Sequence, residues 1–220
     1  GVATNDNILH QKSNNYLASV FADKNQYGVA FLDISTGEFL VAQGNADYLD
    51  KLLQSFKPSE IIFPKRFNKD FIETFGDRFY TYGLEDWPYT ADYTNEILFK
   101  HFEVNSLKGF GIEAQKLGII TAGAILHYLK ETEHPHLQHI HTIGRIDRSE
   151  ILWMDKFTIR NLELIGNGAG QKGLIDIMDA TKSPMGARLL KRWLIFPLQS
   201  LEQINQRLSA VAYFVDAKEI

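Results

Sequence analysis

Gly168-Ala-Gly-Gln-Lys-Gly173 has the spacing G-x-G-x-x-G, which in a dinucleotide-binding turn brings backbone N–H groups against a pyrophosphate. That chemistry needs a strand before the turn, a helix after it and an acidic side chain about 20 residues on. Here helical segments flank the run and Trp193 stands at the acidic position, so a loop between helices is the better reading. Lys172-Gly173 also has the reverse order of a P-loop Gly-Lys-Ser/Thr. Asp33, in the run LDISTGEF of residues 32–39, is a second candidate, because metal-dependent nucleases hold ions with carboxylates on central strands. Such sites need several carboxylates, and the later strands offer only Glu60, at a strand start. The residues favour a polar strand end that bonds its own turn over the alternative, an RNase H-like nuclease using Asp33. His134, His136, His139 and His141 could ligate a metal, although a proline among them and the absence of cysteine fit a solvated linker better. Arg188, Lys191 and Arg192 could meet DNA phosphate, yet cations late in a helix also complement its dipole and cover apolar surface with their stems. No nucleophile motif is found.

Composition narrows the classes further. The 220 residues are 45% hydrophobic and 23% charged, ordinary globular usage for one large or two medium domains. Lys and Arg total 23 against 27 Asp and Glu, a net charge of −4, which gives no reason to expect strong DNA binding by this chain alone. The absence of cysteine excludes disulfides and thiolate metal sites and fits a reducing compartment. No apolar run reaches the roughly 20 residues that span a bilayer. The expectation is a soluble, cytoplasmic protein with no membrane contact.

The elements that must position these residues fall into two classes. Up to about His134, short β-type runs alternate with amphipathic helical ones, the pattern of an α/β domain. Strands are predicted at residues 16–21, 27–34, 38–42, 60–63 and 79–82, with a tight turn at Ser35-Thr36-Gly37. Helices are predicted at 46–56, 67–75, 91–102 and 116–133. In the third of these Ile97, Leu98, His101 and Phe102 share the inner face, leaving Asp92, Asn95, Glu96 and Lys100 outward. After an extended polar stretch the period becomes helical throughout, at 156–165, 184–194 and 201–215. Ser183-Pro184 starts the second of these; Met185, Leu189, Leu190, Trp193 and Leu194 form its apolar side, with Gly186 among them placed for close backbone approach, and Pro197 ends it. The last begins with Ser200 and Gln203 as a capping box, and its seam of Leu201, Ile204, Leu208, Val211 and Val215 runs toward Ile220 without a stop signal, as in a chain cut within a longer helical domain. Fold class is therefore α/β followed by all-α, with domains expected at residues 1–140 and 141–220.

The runs RNLEL (160–164) and TKSPMGARLLKRWLIFPL (181–198) resemble the signature of the MutS family of bacterial mismatch-repair proteins, where that family's core, or lever, domain begins. The signature positions are Arg160, Asn161, Glu163, Pro184, Met185, Gly186, Arg188, Trp193 and Pro197. GVATNDNIL (1–9) is similar to the segment leaving the mismatch-recognition domain, and LDISTGEF (32–39) and LKGFGIE (107–113) to connector-domain motifs. The resemblance implies an RNase H-like connector without nuclease activity, followed by the start of a truncated lever domain. It also implies a fragment that is not itself an enzyme and holds no cofactor, with ATP and Mg²⁺ bound in an ATPase domain elsewhere in a homodimeric parent that engages mismatched duplex DNA. By the same resemblance the fragment relays conformational change between the ATPase and DNA-binding ends and offers a docking surface for MutL. Asn95, Glu96 and Lys100 are the residues expected on that surface.

Overall fold

A computed structural model describes residues 15–132, 137–146, 151–152, 154, 156–166 and 172–216. Gly168, Gly170, His134 and His136, the run 1–9 and the stretch 217–220 thus lie outside the described residues. The chain divides into two compact units, Gly1–Ile146 and Asp147–Ile220.

The first unit is built on a six-stranded sheet. β1 (Tyr16–Asp23), β2 (Gln26–Asp33) and β3 (Glu38–Gly44) form an antiparallel meander; α1 (Ala46–Phe56) then crosses over so that β4 (Glu60–Pro64) pairs parallel to β1. α2 (Asn68–Phe75) leads to β5 (Thr81–Leu84), α3 (Ala91–Phe102) and α4 (Lys116–Glu131) follow, and β6 (Gly144–Arg145) adds to β3. The order is β5-β4-β1-β2-β3-β6. The strand predicted at 79–82 begins two residues later, and the two-residue β6 carried no periodic signal.

Alternation along the strands divides the core between the two faces of the sheet. Tyr16, Phe31 and Phe63 point toward α1 and α2, where Phe31 stacks on Phe56 at 4.2 Å and Phe63 on Phe71 at 4.7 Å. Leu17, Leu32, Phe39 and Ile62 point the other way and belong to the core built around α4. α4 lies close to the sheet because Gly28 has no side chain there: a Cβ would sit 2.3 Å from the Leu117 carbonyl carbon. Gly123 serves α3 similarly, since its Cβ would lie 2.4 Å from that of Thr94. α1 is capped by Asn45, whose Oδ1 accepts from the Tyr48 amide at 3.0 Å.

The second unit is helical: α5 (Lys156–Asn161), α6 (Leu174–Met178), α7 (Pro184–Ile195) and α8 (Leu201–Asp216). The helix predicted to reach residue 165 stops at Asn161, where Glu163 takes a left-handed φ of 51° and its carbonyl accepts from Leu174. The short α6, five residues long, was too brief to show a period.

α7 starts as predicted, with Ser183 Oγ accepting from the Gly186 amide at 3.1 Å, but its faces differ from the expected division. Met185 and Leu189 are exposed, whereas Ala187, Arg188 and Ile195 are buried. Gly186 makes room for the cap itself, since the nearest atoms to an added Cβ are the Ser183 Oγ and Thr181 Cβ side-chain atoms, both at 3.3 Å. Trp193 is half-buried beneath the Arg207 guanidinium at 4.4 Å. The Pro197 carbonyl accepts from the Leu152 amide. Arg160 and Asn161 are exposed at the end of α5. In α8, Ser200 Oγ accepts from the Gln203 amide at a long 3.4 Å, and the seam is largely exposed, with none of the helix's residues buried.

Candidate protein-docking surface

Strand register decides what Asp33 can do. It pairs with Tyr16 on one side and Glu38 on the other, which places all three side chains on the α1 face. Glu60, the one acid the later strands offer, pairs with Leu17 and points to the α4 face, so the sheet separates it from Asp33. Each is otherwise engaged. Asp33 is fully buried and its Oδ1 accepts from both the Ser35 amide at 2.9 Å and the Ser35 hydroxyl at 2.6 Å, holding the turn at the end of β2. Glu60 accepts from the Tyr128 hydroxyl at 3.0 Å, and burial together with that carboxylate pushes the Tyr128 phenol well above its usual range. β1, the central strand, has no acid before its last residue, Asp23. Among the described residues no group of three His, Asp or Glu side chains could hold a metal. His139 donates from Nε2 to the Ile34 carbonyl at 2.6 Å, and His141 is exposed.

The ends of β1 and β4 open into a groove of about 490 Å³, the place where ligands commonly meet parallel strands. Its charges are mixed, with Lys24 and Arg66 beside Asp70 and Glu73, so it selects neither anion nor cation.

A different surface is organised by α3. The helix buries Thr94, Ile97 and Leu98 against the core and presents Asp92, Glu96 and Lys100 outward. Asn95, expected beside them, is half-buried; its Nδ2 donates to the Ala91 carbonyl at 2.8 Å one turn earlier. It stands on the wall of a cavity of about 350 Å³ that runs between α3, the 105–113 loop and the start of α4. Phe99, Leu107, Ile119 and Ile120 make the cavity apolar, while Asn95, Glu113 and Lys116 supply polar groups. The LKGFGIE run thus contributes one wall, with Gly111 in the left-handed conformation at φ 67° turning the loop back toward α4. Lys100 also lies near Lys130 of α4; burial, with that neighbouring charge, lowers the Lys130 pKa.

On the other flank of α3, Tyr93 reaches His127 of α4, its hydroxyl 2.8 Å from Nδ1, while His127 Nε2 lies 3.3 Å from a Glu131 carboxylate oxygen. Burial lowers the His127 pKa, with Lys130 adding to the effect and Glu131 opposing it. Trp87 packs against both rings, at 4.9 Å from Tyr93 and 4.8 Å from His127. Sequence reasoning missed the cavity and this cluster. Only the His127 and Glu131 spacing of four residues on one helix was visible without tertiary contacts.

The family model for MutS domain II matches residues 15–141, and that for MutS domain III matches residues 157–220. The DNA mismatch repair protein MutS of Cytophaga hutchinsonii is 54% identical over 222 aligned residues, covering 100% of this chain and 26% of the relative. The MutS proteins of Flavobacterium psychrophilum and Bacteroides fragilis are 54% and 52% identical, over 100% and 97% of this chain and 26% and 25% of their own lengths. The chain therefore spans about a quarter of the length of these relatives. It belongs to the MutS family of DNA mismatch-repair proteins and carries their domain II and domain III sequence.

Proposed function

We propose that this chain is the connector and the beginning of the lever of a MutS-type protein, a non-catalytic segment that relays conformational change and offers MutL a docking surface. The observation that carries the docking part is the α3 surface, where exposed Glu96 and Lys100 stand beside an apolar cavity that Asn95 helps line. An apolar recess with a charged rim suits protein recognition: the recess takes a buried anchor, and the rim sets orientation and association rate. The strand order, with an antiparallel second strand in an otherwise parallel set, supports an RNase H-like connector. The separation of Asp33 from Glu60 supports a connector without nuclease activity.

For the relay, support comes from the start of the lever, where a side-chain cap, a proline at the first helical turn and the Trp193–Arg207 stack favour a stiff α7. In this reading ATP and Mg²⁺ act in another part of a homodimeric, cytoplasmic parent, and mismatched duplex DNA is engaged through the whole protein. With a net charge of −4, the present chain binds DNA weakly or not at all.

The test is a whole protein carrying Glu96→Lys together with Lys100→Glu, assayed for MutL recruitment on mismatched DNA. Recruitment should fall several-fold, since rim charges each contribute about 0.2–1 kcal/mol and both are reversed. Unchanged recruitment would refute docking at this surface. Asn95→Arg, which places a long charged side chain at the cavity wall, provides a second reading of the same site.

A further inference from the structure

The ring cluster on the other flank of α3 has an arrangement that its structural role does not exhaust. Trp87 is the first residue of a 3₁₀ turn whose next two residues, Pro88 and Tyr89, are buried; the indole itself is 53% exposed. A large aromatic surface held on a fixed turn and left half in solvent is the kind of group that dominates binding interfaces. Tyr93 and His127 meet it edge-on, at interplanar angles of 66° and 75°, and hold it in one orientation. Their centroids lie within 5.6 Å of one another, too close for a ligand to enter between the rings, so any ligand must lie on the outer surface of the indole.

A carboxylate also belongs to this cluster. The Glu131 side chain is 56% exposed, and among the described residues its ionic contact is with His127, which burial keeps toward the neutral form. In that form His127 accepts the Tyr93 hydroxyl at Nδ1 and donates from Nε2 to Glu131, which fixes the carboxylate without neutralising it. Burial raises the Tyr93 phenol pKa, and Glu131 and Glu96 raise it further, while Lys130 places a cation near His127. An exposed indole and an exposed carboxylate that both contact His127 are complementary to a planar cation. A guanidinium can stack on the ring while its N–H groups bond the carboxylate, whereas a more strongly hydrated ammonium has no planar face to stack.

We propose that Trp87, Tyr93 and Glu131, braced by His127, form a receptor for an arginine side chain of a partner protein. The receptor shares no residue with the Glu96 and Lys100 ridge or with the cavity beyond it, so its test does not depend on MutL docking there.

The test uses the 220-residue chain labelled with ¹⁵N, following the Trp87 indole N–H resonance, which a Trp87→Phe variant assigns. The probes are Nα-acetylarginine amide, its neutral analogue Nα-acetylcitrulline amide, and Nα-acetyllysine amide. The arginine amide should shift the Trp87 resonance saturably in the millimolar range, and the citrulline and lysine amides at least about five-fold more weakly. Glu131→Gln, which can still accept from His127 through its amide oxygen, should weaken the arginine effect by a similar factor. Equal response to citrulline or to lysine, or an unaltered response in Glu131→Gln, would overturn the proposal. A Trp87 shift that depends on protein concentration without any probe would place a second copy of the chain on this surface and would also overturn it.

Discussion

Gly28→Ala tests how closely the sheet and α4 are fitted. The added methyl would lie 2.3 Å from the Leu117 carbonyl carbon, 2.4 Å from its oxygen and 2.6 Å from its Cβ. Carbon atoms in ordinary contact stand about 3.5–4.0 Å apart, so the first turn of α4 must retreat by more than about 1 Å. That turn is tied to β3, because the Leu117 amide donates to Gln43 Oε1 at 2.9 Å. Main chain anchored in this way cannot yield as a flexible side chain could. Overpacking costs about 1–3 kcal/mol, and strain on one hydrogen bond adds about 1 kcal/mol. Replacing glycine within a strand returns about 0.5–1 kcal/mol, which leaves a net loss of about 1–3.5 kcal/mol. For a domain of this size the melting temperature should fall by about 2–14 °C. The assay is urea unfolding of the chain, with hydrogen exchange of the β2 and α4 amides reporting on the first unit. Gly109→Ala is the control: no atom lies within 4 Å of its added Cβ, and its change should stay within about 0.5 kcal/mol. Equal stability of the two variants would refute the close contact.

Further outcomes follow from the same geometry. Ser183→Ala removes the cap on the Gly186 amide and should cost the second unit about 1 kcal/mol, with faster hydrogen exchange confined to the first turn of α7. Asp33→Ala leaves the Ser35 amide without its side-chain acceptor and should destabilise the first unit by about 1–3 kcal/mol. It should leave cleavage of labelled DNA or RNA in Mg²⁺ or Mn²⁺ at the background seen for the unaltered chain; cleavage abolished by this change would reinstate a nuclease. His101 and His127 both have pKa values lowered from 6.5, in each case chiefly by burial. The unfolded chain therefore binds more protons just below that pH, so their contribution is present above about 6.5 and is lost as pH falls through the lowered values. Urea midpoints measured across this interval should decline on acidification, and His127→Gln should flatten the decline.

The legibility of the fold followed the range of the interactions that fix it. α1 and α3 have the predicted boundaries because each carries its apolar period within one segment. β6 is two residues long and exists by pairing with β3, so it has no local signature. The helical period puts Met185, Leu189, Leu190, Trp193 and Leu194 on one side of α7 and Arg188 on the other, but Arg188 is buried while Met185 is exposed, a choice made by packing and invisible to the period. The turn role of Asp33 was readable because its partner, Ser35, is two residues away. The α3 cavity was not readable, since Phe99, Leu107 and Ile119 meet only once three segments have packed.

Hydrogen exchange of the whole protein on mismatched DNA with ATP, with and without MutL, tests docking at α3 most directly. MutL should slow exchange in Ala91–Phe102 and in residues 105–113, with smaller changes in α1 and α2 on the opposite face of the sheet. Protection confined to α1 and α2, with α3 and the 105–113 loop unchanged, would contradict the docking surface proposed here.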